Sequence, residues 1–476
     1  GYWWKKENNN QVVIDQMFST GVVGLAGVND DYTAWDLLFK HFNEAHGYGE
    51  VGYQPGEKIA IKVNLNNCWN TFLNTYTARD NDRDASPYVV KALLRQLVNT
   101  VGVAQEDIIV YDASRKMANW FYNRVYYKAY PAMPLDPEFP DVNFMDAEGG
   151  AYGRQKVEPS TQKIYFADES GLTRTLPKCV IEAKYIINTP LLKRHPINNG
   201  VTLSGKNFFG TWIEPVADIH PYHKASFIDG NPAPQTDLLA HEQIGGKTLL
   251  YIGDGIFGTR EDHKTIAKFQ MYPFNNDWTN SLFFSQDPVA IDSVMYDFLH
   301  AEGTNPNEGS QNYLHQSAEP PSELYDPEND GIFLSKSLGV HEHWDTTSYI
   351  FSSERYSGSS SNGIDFRAYG EEYAQPAIII TKPKENHLYI SGKEIHSLPV
   401  SLIIGDIDIV AEINGLSADV EKVEFYIDGQ YLNTDYDEPY TWSWDTPAFF
   451  RHRIDVIAHY NGRNYLNYNI VVWKFF

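Results

Sequence analysis

The chain has only two cysteines in 476 residues, Cys68 and Cys179. Two thiolates cannot supply the four ligands of an iron–sulfur cluster or an all-cysteine zinc site, so neither is expected. Two buried thiols and one disulfide both remain open. No apolar run reaches the roughly 18 residues that cross a bilayer, so no membrane span is expected. Neither a G-x-S-x-G elbow nor a G-x-x-x-x-G-K-[ST] loop occurs, which removes the signatures of nucleophilic-serine and nucleotide-hydrolysing enzymes. Positive charge is scarce too: 38 Lys and Arg stand against 62 Asp and Glu, a net charge of −24. Such a surface repels phosphate backbones, and nucleic acid is not expected as a partner. The chain opens at Gly1-Tyr2-Trp3-Trp4 without a cationic and apolar leader. It is read as mature or trimmed, with any export signal removed.

What is present suits a globular protein of two to three domains, 42% hydrophobic and 21% charged. Aromatics reach 14%, with 32 Tyr and 11 Trp. Rings stack on sugar faces, but packing in cores and strands explains them first. Lys58–Leu65 alternates as a strand and runs into an Asn-rich turn. Ser86-Pro87 then opens a helix with Val89, Val90, Leu93, Leu94 and Leu97 on one face, Ser86 as cap and Gly102 as stop. Asp107–Asp112 reads as the next strand, and strand–helix–strand with short joints implies a parallel pair. Further strands are expected at Tyr185–Asn188 and Thr248–Ile252, and a helix from Asp287-Pro288. Residues 130–178 and 302–336 are loop-rich, and 354–376 reads as a linker. Beyond Pro376 period-two strands with an Asp428-Gly429 hairpin signal indicate a β-sandwich of about 100 residues. The expected organisation is α/β over residues 1–370, a parallel or mixed sheet flanked by helices, then a smaller immunoglobulin-like β-sandwich over 371–476.

One stretch breaks the acidic balance. From Ile186 to His223, with Lys224 one step beyond, stand Lys193, Arg194, Lys206, His195, His220 and His223 against Glu214 and Asp218. A basic, imidazole-rich island in an acidic chain is what binding an anion and moving a proton require. Lys193 and His195 follow a buried strand, at the carboxyl-end loop where open α/β sheets hold ligands; charges facing water are the plain alternative. Lys206-Asn207 lies among Val201, Leu203, Phe208 and Phe209, so its ammonium needs an anion. That anion is a ligand, or an internal carboxylate such as Asp254 or Asp292. His220 and His223 are candidate ligands of a divalent metal ion, with His195 or Asp218, although the spacing is not a strong zinc signature. Tyr222 is a candidate phenolic acid. Lys62, Asn64 and Asn66 end a strand and either orient a polar ligand or form a turn, which Asn favours. His341-Glu342-His343 has the residue types of a ligand cluster and equally those of an exposed loop.

The residues Ile61–Asn66, Ser86-Pro87, Asp112, Ile187–His195, Val201–Gly210, Asp254-Gly255-Ile256 and Asp287–Asp292 together resemble the bacterial domain of unknown function 362 family, over about residues 20–345. Some members of that family carry iron–sulfur ligands, and this chain lacks those cysteines. Val423–Gly429 and Tyr440–Thr446 resemble bacterial immunoglobulin-like modules of secreted carbohydrate-active proteins. That resemblance implies a secreted, periplasmic or cell-surface location.

Taken together, the expectation is an exported carbohydrate-active enzyme performing lyase-type β-elimination on a uronate-containing polysaccharide or oligosaccharide. His195, Lys206, His220, Tyr222 and His223 are the catalytic candidates; Lys62, Asn64, Asn66, Lys193, Arg194 and Asn207 are the substrate-binding ones. A carbon acid beside a carboxylate is weak, so its anion needs nearby cations or a metal while a base takes the proton. A non-catalytic carbohydrate-binding or adhesion protein, a glycoside hydrolase and a uronate epimerase are the alternatives.

Overall fold

The computed structural model describes the whole chain except residues 1, 70–80, 151–152, 168–170, 196–199, 217–218, 305–307, 349–350, 370–376, 415–419 and 461–463. The chain divides into two compact units, Gly1–Trp344 with Ser360–Ile364, and Asp345–Ser359 with Asp365–Phe476. The boundary expected at residues 370/371 lies outside the described residues.

The first unit is built on one mixed sheet. Its strands are β1 (Ile59–Lys62), β2 (Ile108–Tyr111), β3 (Asn143–Asp146) and β4 (Arg154–Lys156). A separate hairpin, β5 (Pro159–Tyr165) and β6 (Thr173–Pro177), follows. The sheet resumes with β7 (Tyr185–Asn188), β8 (Leu191–Arg194), β9 (Val201–Thr202), β10 (Thr248–Thr259) and β11 (Ser281–Ser285). In space the order is β4-β3-β2-β1-β7-β10-β8-β9, with β11 antiparallel on β10. Strands β1, β2, β3, β4, β7, β8 and β10 run parallel to their neighbours among themselves. The chain therefore lays β2, β3 and β4 on one side of β1 and then crosses to put β7 on the other. At such a reversal the loops leaving the carboxyl ends of adjacent strands part and open a crevice.

Helices cover the sheet because their apolar faces have no other place to go. The first three are α1 (Gln11–Ala26), α2 (Asp31–Ala45) and α3 (Pro87–Arg95). They bring Phe18, Phe39, Leu93 and Leu94 onto Ile59, Ile61 and Val63 in one core. Pro87 starts α3, and a π-helical turn carries it to Gly102, whose φ of 82° ends it. Ser86 sits at the expected cap position, but its side chain makes no capping bond; its backbone N–H instead donates to Asp254 at 2.9 Å. The helix expected at Asp287-Pro288 is Pro288–Leu299, capped by Asp287, which accepts from the N–H groups of Val289 and Ala290. Among the described residues no single helix is long and apolar enough to cross a membrane. Cys68 and Cys179 are buried free thiols.

The second unit is a β-sandwich. A three-stranded sheet holds Ala377–Lys382, Ile407–Asn414 and Tyr440–Trp444, and a seven-stranded sheet includes the long hairpin of Phe449–Tyr460 and Asn464–Phe475. Alternate residues such as Ile407, Ile409, Phe425, Ile454, Val456 and Val472 fill its core. Asp428-Gly429 forms the expected turn, both residues at positive φ.

Loop packing over the crevice depends on one glycine. A Cβ on Gly210 would lie 2.7 Å from Lys62 Nζ and 2.8 Å from Asp112 Oδ1. The Gly210 carbonyl accepts from Ala113 N–H at 2.8 Å, which holds that loop down. Gly210→Ala is expected to destabilise the protein by about 1–3 kcal/mol through overpacking. Denaturant unfolding checks this, and an unchanged midpoint would show that the close approach is not required.

Candidate functional site

A cleft of about 460 Å³, partly open to solvent, lies at the carboxyl ends of β1 and β2. Its wall takes Lys62, Asn64 and Asn66 from the end of β1, and Asp112, Ser114 and Arg115 from the end of β2. The opposite wall holds His195, Thr202, Lys206, Asn207, Phe209, Gly210, Val216 and His220. Seven residues picked out from the sequence thus meet here: Lys62, Asn64, Asn66, His195, Lys206, Asn207 and His220.

Among the described residues lining the cleft the one carboxylate is Asp112, and it is fully engaged. It pairs with Lys62 Nζ at 3.2 Å and accepts from Leu65 N–H, Ser114 N–H and the Ser114 hydroxyl. Lys62 also donates to the Val63 carbonyl at 2.6 Å. This pair ties β1 to β2.

Lys206 stands apart. A helical turn, Ser204–Asn207, presents it, and Asp292 holds that turn by accepting from Ser204 N–H at 2.8 Å and Gly205 N–H at 3.2 Å. Tyr313 donates to the same carboxylate at 2.8 Å. Burial still lifts the Asp292 pKa to about 6, since the hydrogen bonds only partly offset desolvation. Lys206 is 9% exposed, and its Nζ lies 3.4 Å from the centroid of the Phe209 ring. Among the described residues no hydrogen bond or ion pair reaches that Nζ. Among the described residues Lys193 is likewise buried without a hydrogen bond or ion pair at its Nζ, whereas Lys91 meets the Lys128 carbonyl and Glu138, and Lys474 meets the Thr446 carbonyl. Burial first, then the charges of Arg115 and Lys193, holds the Lys206 pKa well below the usual amine value. A phenyl face stabilises an ammonium modestly, and here desolvation wins.

The imidazoles follow the same logic. Burial, then Lys206 and Lys193, keeps His195 well below its ordinary pKa, so it is a neutral base. Behind it lies His223, with ring centroids 5.1 Å apart and planes at 88°. His223 is fully buried among His195, Phe209 and Phe227, and neither ring nitrogen has a hydrogen-bond partner among the described residues. Two groups of cleft-lining residues, Thr202 Oγ1 and Asn207 Oδ1, are likewise buried without partners among the described residues. Orphaned polar atoms facing a cleft are what a polar ligand satisfies.

The other candidates lie elsewhere. Lys193 is buried in β8 off the cleft wall, and burial brings its pKa to about 8, with Asp84 acting in the opposite direction. Arg194 points away and donates to the Glu261 carbonyl. Tyr222 is half-buried and not on the wall. His223 backs His195 and does not line the cleft. Among the described residues no three His, Cys, Asp or Glu side chains gather as metal ligands. Asp218, considered as a ligand, lies outside the described residues. The internal partners considered for Lys206 are occupied: Asp254 pairs with Arg83 at 2.6 Å, and Asp292 holds backbone N–H groups. His341 packs with both His315 and His343, and His343 pairs with Asp297 at 2.6 Å. They belong to a separate surface cluster.

Arg115 was not picked out from the sequence. It lines the cleft while donating to the carbonyls of Asn66 and Ser114. The available signal was its position just past Asp112, at the carboxyl end of a parallel strand.

The family profile of the Domain of unknown function (DUF362) matches residues 59–297, half of the chain, and so encloses this cleft. The chain belongs to that family. A Bacterial Ig domain matches residues 376–456 of this DUF362 protein, within the sandwich. No curated protein matches the chain. Solved structures similar to parts of it include the fibronectin(III)-like modules of Clostridium thermocellum CbhA (22% identity, 21% of this chain and 45% of that chain, TM-score 0.16). Others are the endo-β-1,4-mannanase from Thermotoga petrophila (12% identity, 93% and 83%, TM-score 0.17) and a β-glucuronidase from Bacteroides uniformis (11% identity, 98% and 44%, TM-score 0.17). The chain thus spans under half the length of the CbhA chain, and scores this low carry no argument.

The neutral imidazoles have a consequence for stability. The unfolded chain protonates His223 below its ordinary pKa of 6.5, whereas the fold holds that pKa well below. Stability therefore falls as pH drops through 6.5, by at most about 1.4 kcal/mol per pH unit for each such group. His223→Phe keeps the aromatic packing and removes one of these groups. The drop in melting temperature from about pH 7 to about pH 5 is expected to be smaller in the variant. Equal drops would show that His223 is protonated normally.

Proposed function

We propose that this protein is an exported carbohydrate-active enzyme that eliminates across a uronate unit of a polysaccharide or oligosaccharide. The observation that carries this reading is a cleft lined by cationic and imidazole side chains in which the one carboxylate among the described residues, Asp112, is already paired. The Arg115 guanidinium is always charged and takes the substrate carboxylate. A carboxylate entering beside Lys206 favours its ammonium, which then offsets the charge that develops beside the carboxylate. Neutral His195 removes the proton on the neighbouring carbon, and His220 replaces Tyr222 as the acid that protonates the leaving β-oxygen. Thr202 and Asn207 offer their unpartnered oxygens to sugar hydroxyls. The Bacterial Ig domain supports a secreted, periplasmic or cell-surface location.

The experiment is incubation of the full chain with a panel of uronate-containing polysaccharides and oligosaccharides, following absorbance of the new conjugated C=C. His195→Ala is expected to lower turnover by roughly 10²–10⁴-fold while unfolding remains cooperative. Arg115→Met is expected to raise KM as well. Reducing ends without absorbance would replace elimination with hydrolysis. Exchange of the carbon-bound proton with solvent, without cleavage, would indicate epimerisation. Binding without product would leave a carbohydrate-binding protein.

A further inference from the structure

Lys206 has the setting of a nucleophile as well as that of a cation. Its Nζ lies over the Phe209 ring, with no acceptor among the described residues, and Arg115 lines the same cleft. Asp292 fixes the turn that carries it from a distance, through backbone N–H groups, and so constrains its position without neutralising it. Lys62, Lys91 and Lys474 meet carbonyls or a carboxylate; Lys193 shares the lack of a partner with Lys206, but among the described residues Lys206 alone combines it with a place on the cleft. Desolvation and neighbouring cations are the two devices that free an amine for attack on a carbonyl.

We propose that Lys206 is a covalent attachment site for small oxo-acids, which bind as an imine to Nζ with their carboxylate on Arg115. This rests on the cleft being the ligand site, and it extends the ligand class to acids bearing an aldehyde or ketone. The amine lone pair forms a C–N bond to the carbonyl carbon as the C=O π pair moves to oxygen. A proton passes from nitrogen to that oxygen, giving the carbinolamine. Protonation of its hydroxyl, with His195 and His220 on the wall to move the proton, releases water as the C=N bond forms. No electrons enter or leave, and the step is reversible. Permanent charge on Arg115 explains the demand for a carboxylate, and the unpaired amine explains the demand for a carbonyl.

The test uses the full chain, glyoxylate and borohydride, which reduces an imine to a stable secondary amine, followed by peptide mapping. Lys178, exposed and paired with Glu158, serves as the internal reference. At about neutral pH the adduct on Lys206 is expected to exceed that on Lys178 by roughly tenfold or more, because more of its amine is uncharged. Acetaldehyde, which has no carboxylate, is expected to show little of this preference. Lys206→Met should lose the dominant adduct and retain a cooperative melt at or above the wild-type temperature. Labelling of Lys206 no faster than Lys178 overturns the proposal, as does an unchanged adduct pattern in Lys206→Met. Should that variant not fold, the wild-type comparison of Lys206 with Lys178 decides alone. Elimination of uronates without the Lys206 adduct removes this inference and leaves the proposed activity. The adduct without elimination does the reverse.

Discussion

Desolvation of Lys206 is the constraint on which the rest of the site depends. An ammonium withdrawn from water without an anion is so unfavourable that the group tends to lose its proton. Burial holds the Lys206 pKa well below the usual amine range, and burial first, with the neighbouring basic groups, holds His195 and His223 down as well. The cleft therefore holds bases, with Arg115 as its permanent positive charge. An arrangement of this kind is unfavourable for the empty protein and favourable for a ligand that brings a carboxylate. Stability given up at a binding site in this way is commonly recovered elsewhere in a fold.

The acidic residues near the site make that arrangement possible because each has a structural task. Asp112 joins β1 to β2 through Lys62. Asp254 joins the start of α3 to β10 through Ser86 and Arg83. Asp292, on the helix Pro288–Leu299, pins the turn that carries Lys206. All three sit within contact of backbone or a cation that consumes their charge. In a chain with a net charge of −24 these three carboxylates are thus committed to the framework and do not cancel the basic groups of the cleft.

Much of the framework was legible in the sequence, because local pattern and fold agree there. The alternation of Lys58–Leu65, the Pro87 helix with its Gly102 stop, and the Asp287 cap all reappear as elements. So does the collection of His195, Lys206 and His220 along the cleft. What failed was direction. Lys193 and Arg194 are adjacent in β8, where successive side chains leave opposite faces of a sheet. One is buried beside Asp84 and the other reaches the Glu261 carbonyl, so neither lines the cleft. In the short helix His220–Ala225, His220 faces the cleft, His223 turns inward and Tyr222 lies off the wall. Their spacing alone does not orient them toward the tertiary fold. The tasks of Asp254 and Asp292 are long-range, and no local pattern announces them.

Arg115 shows how the same rule finds and misses a residue. Ligands gather at the carboxyl ends of parallel strands beside a reversal in strand order. Applied to the island after β7, the rule singled out Lys193 and His195; applied to the end of β2, it would have singled out Arg115 too. The island drew attention by its density of charge, whereas Arg115 stands among ordinary loop residues. Density, however, measures how many basic groups share a segment, and a binding site is built from segments far apart in the chain. Strand order brings β1, β2 and the loops after β8 to one crevice, and topology selects among charged residues where composition cannot.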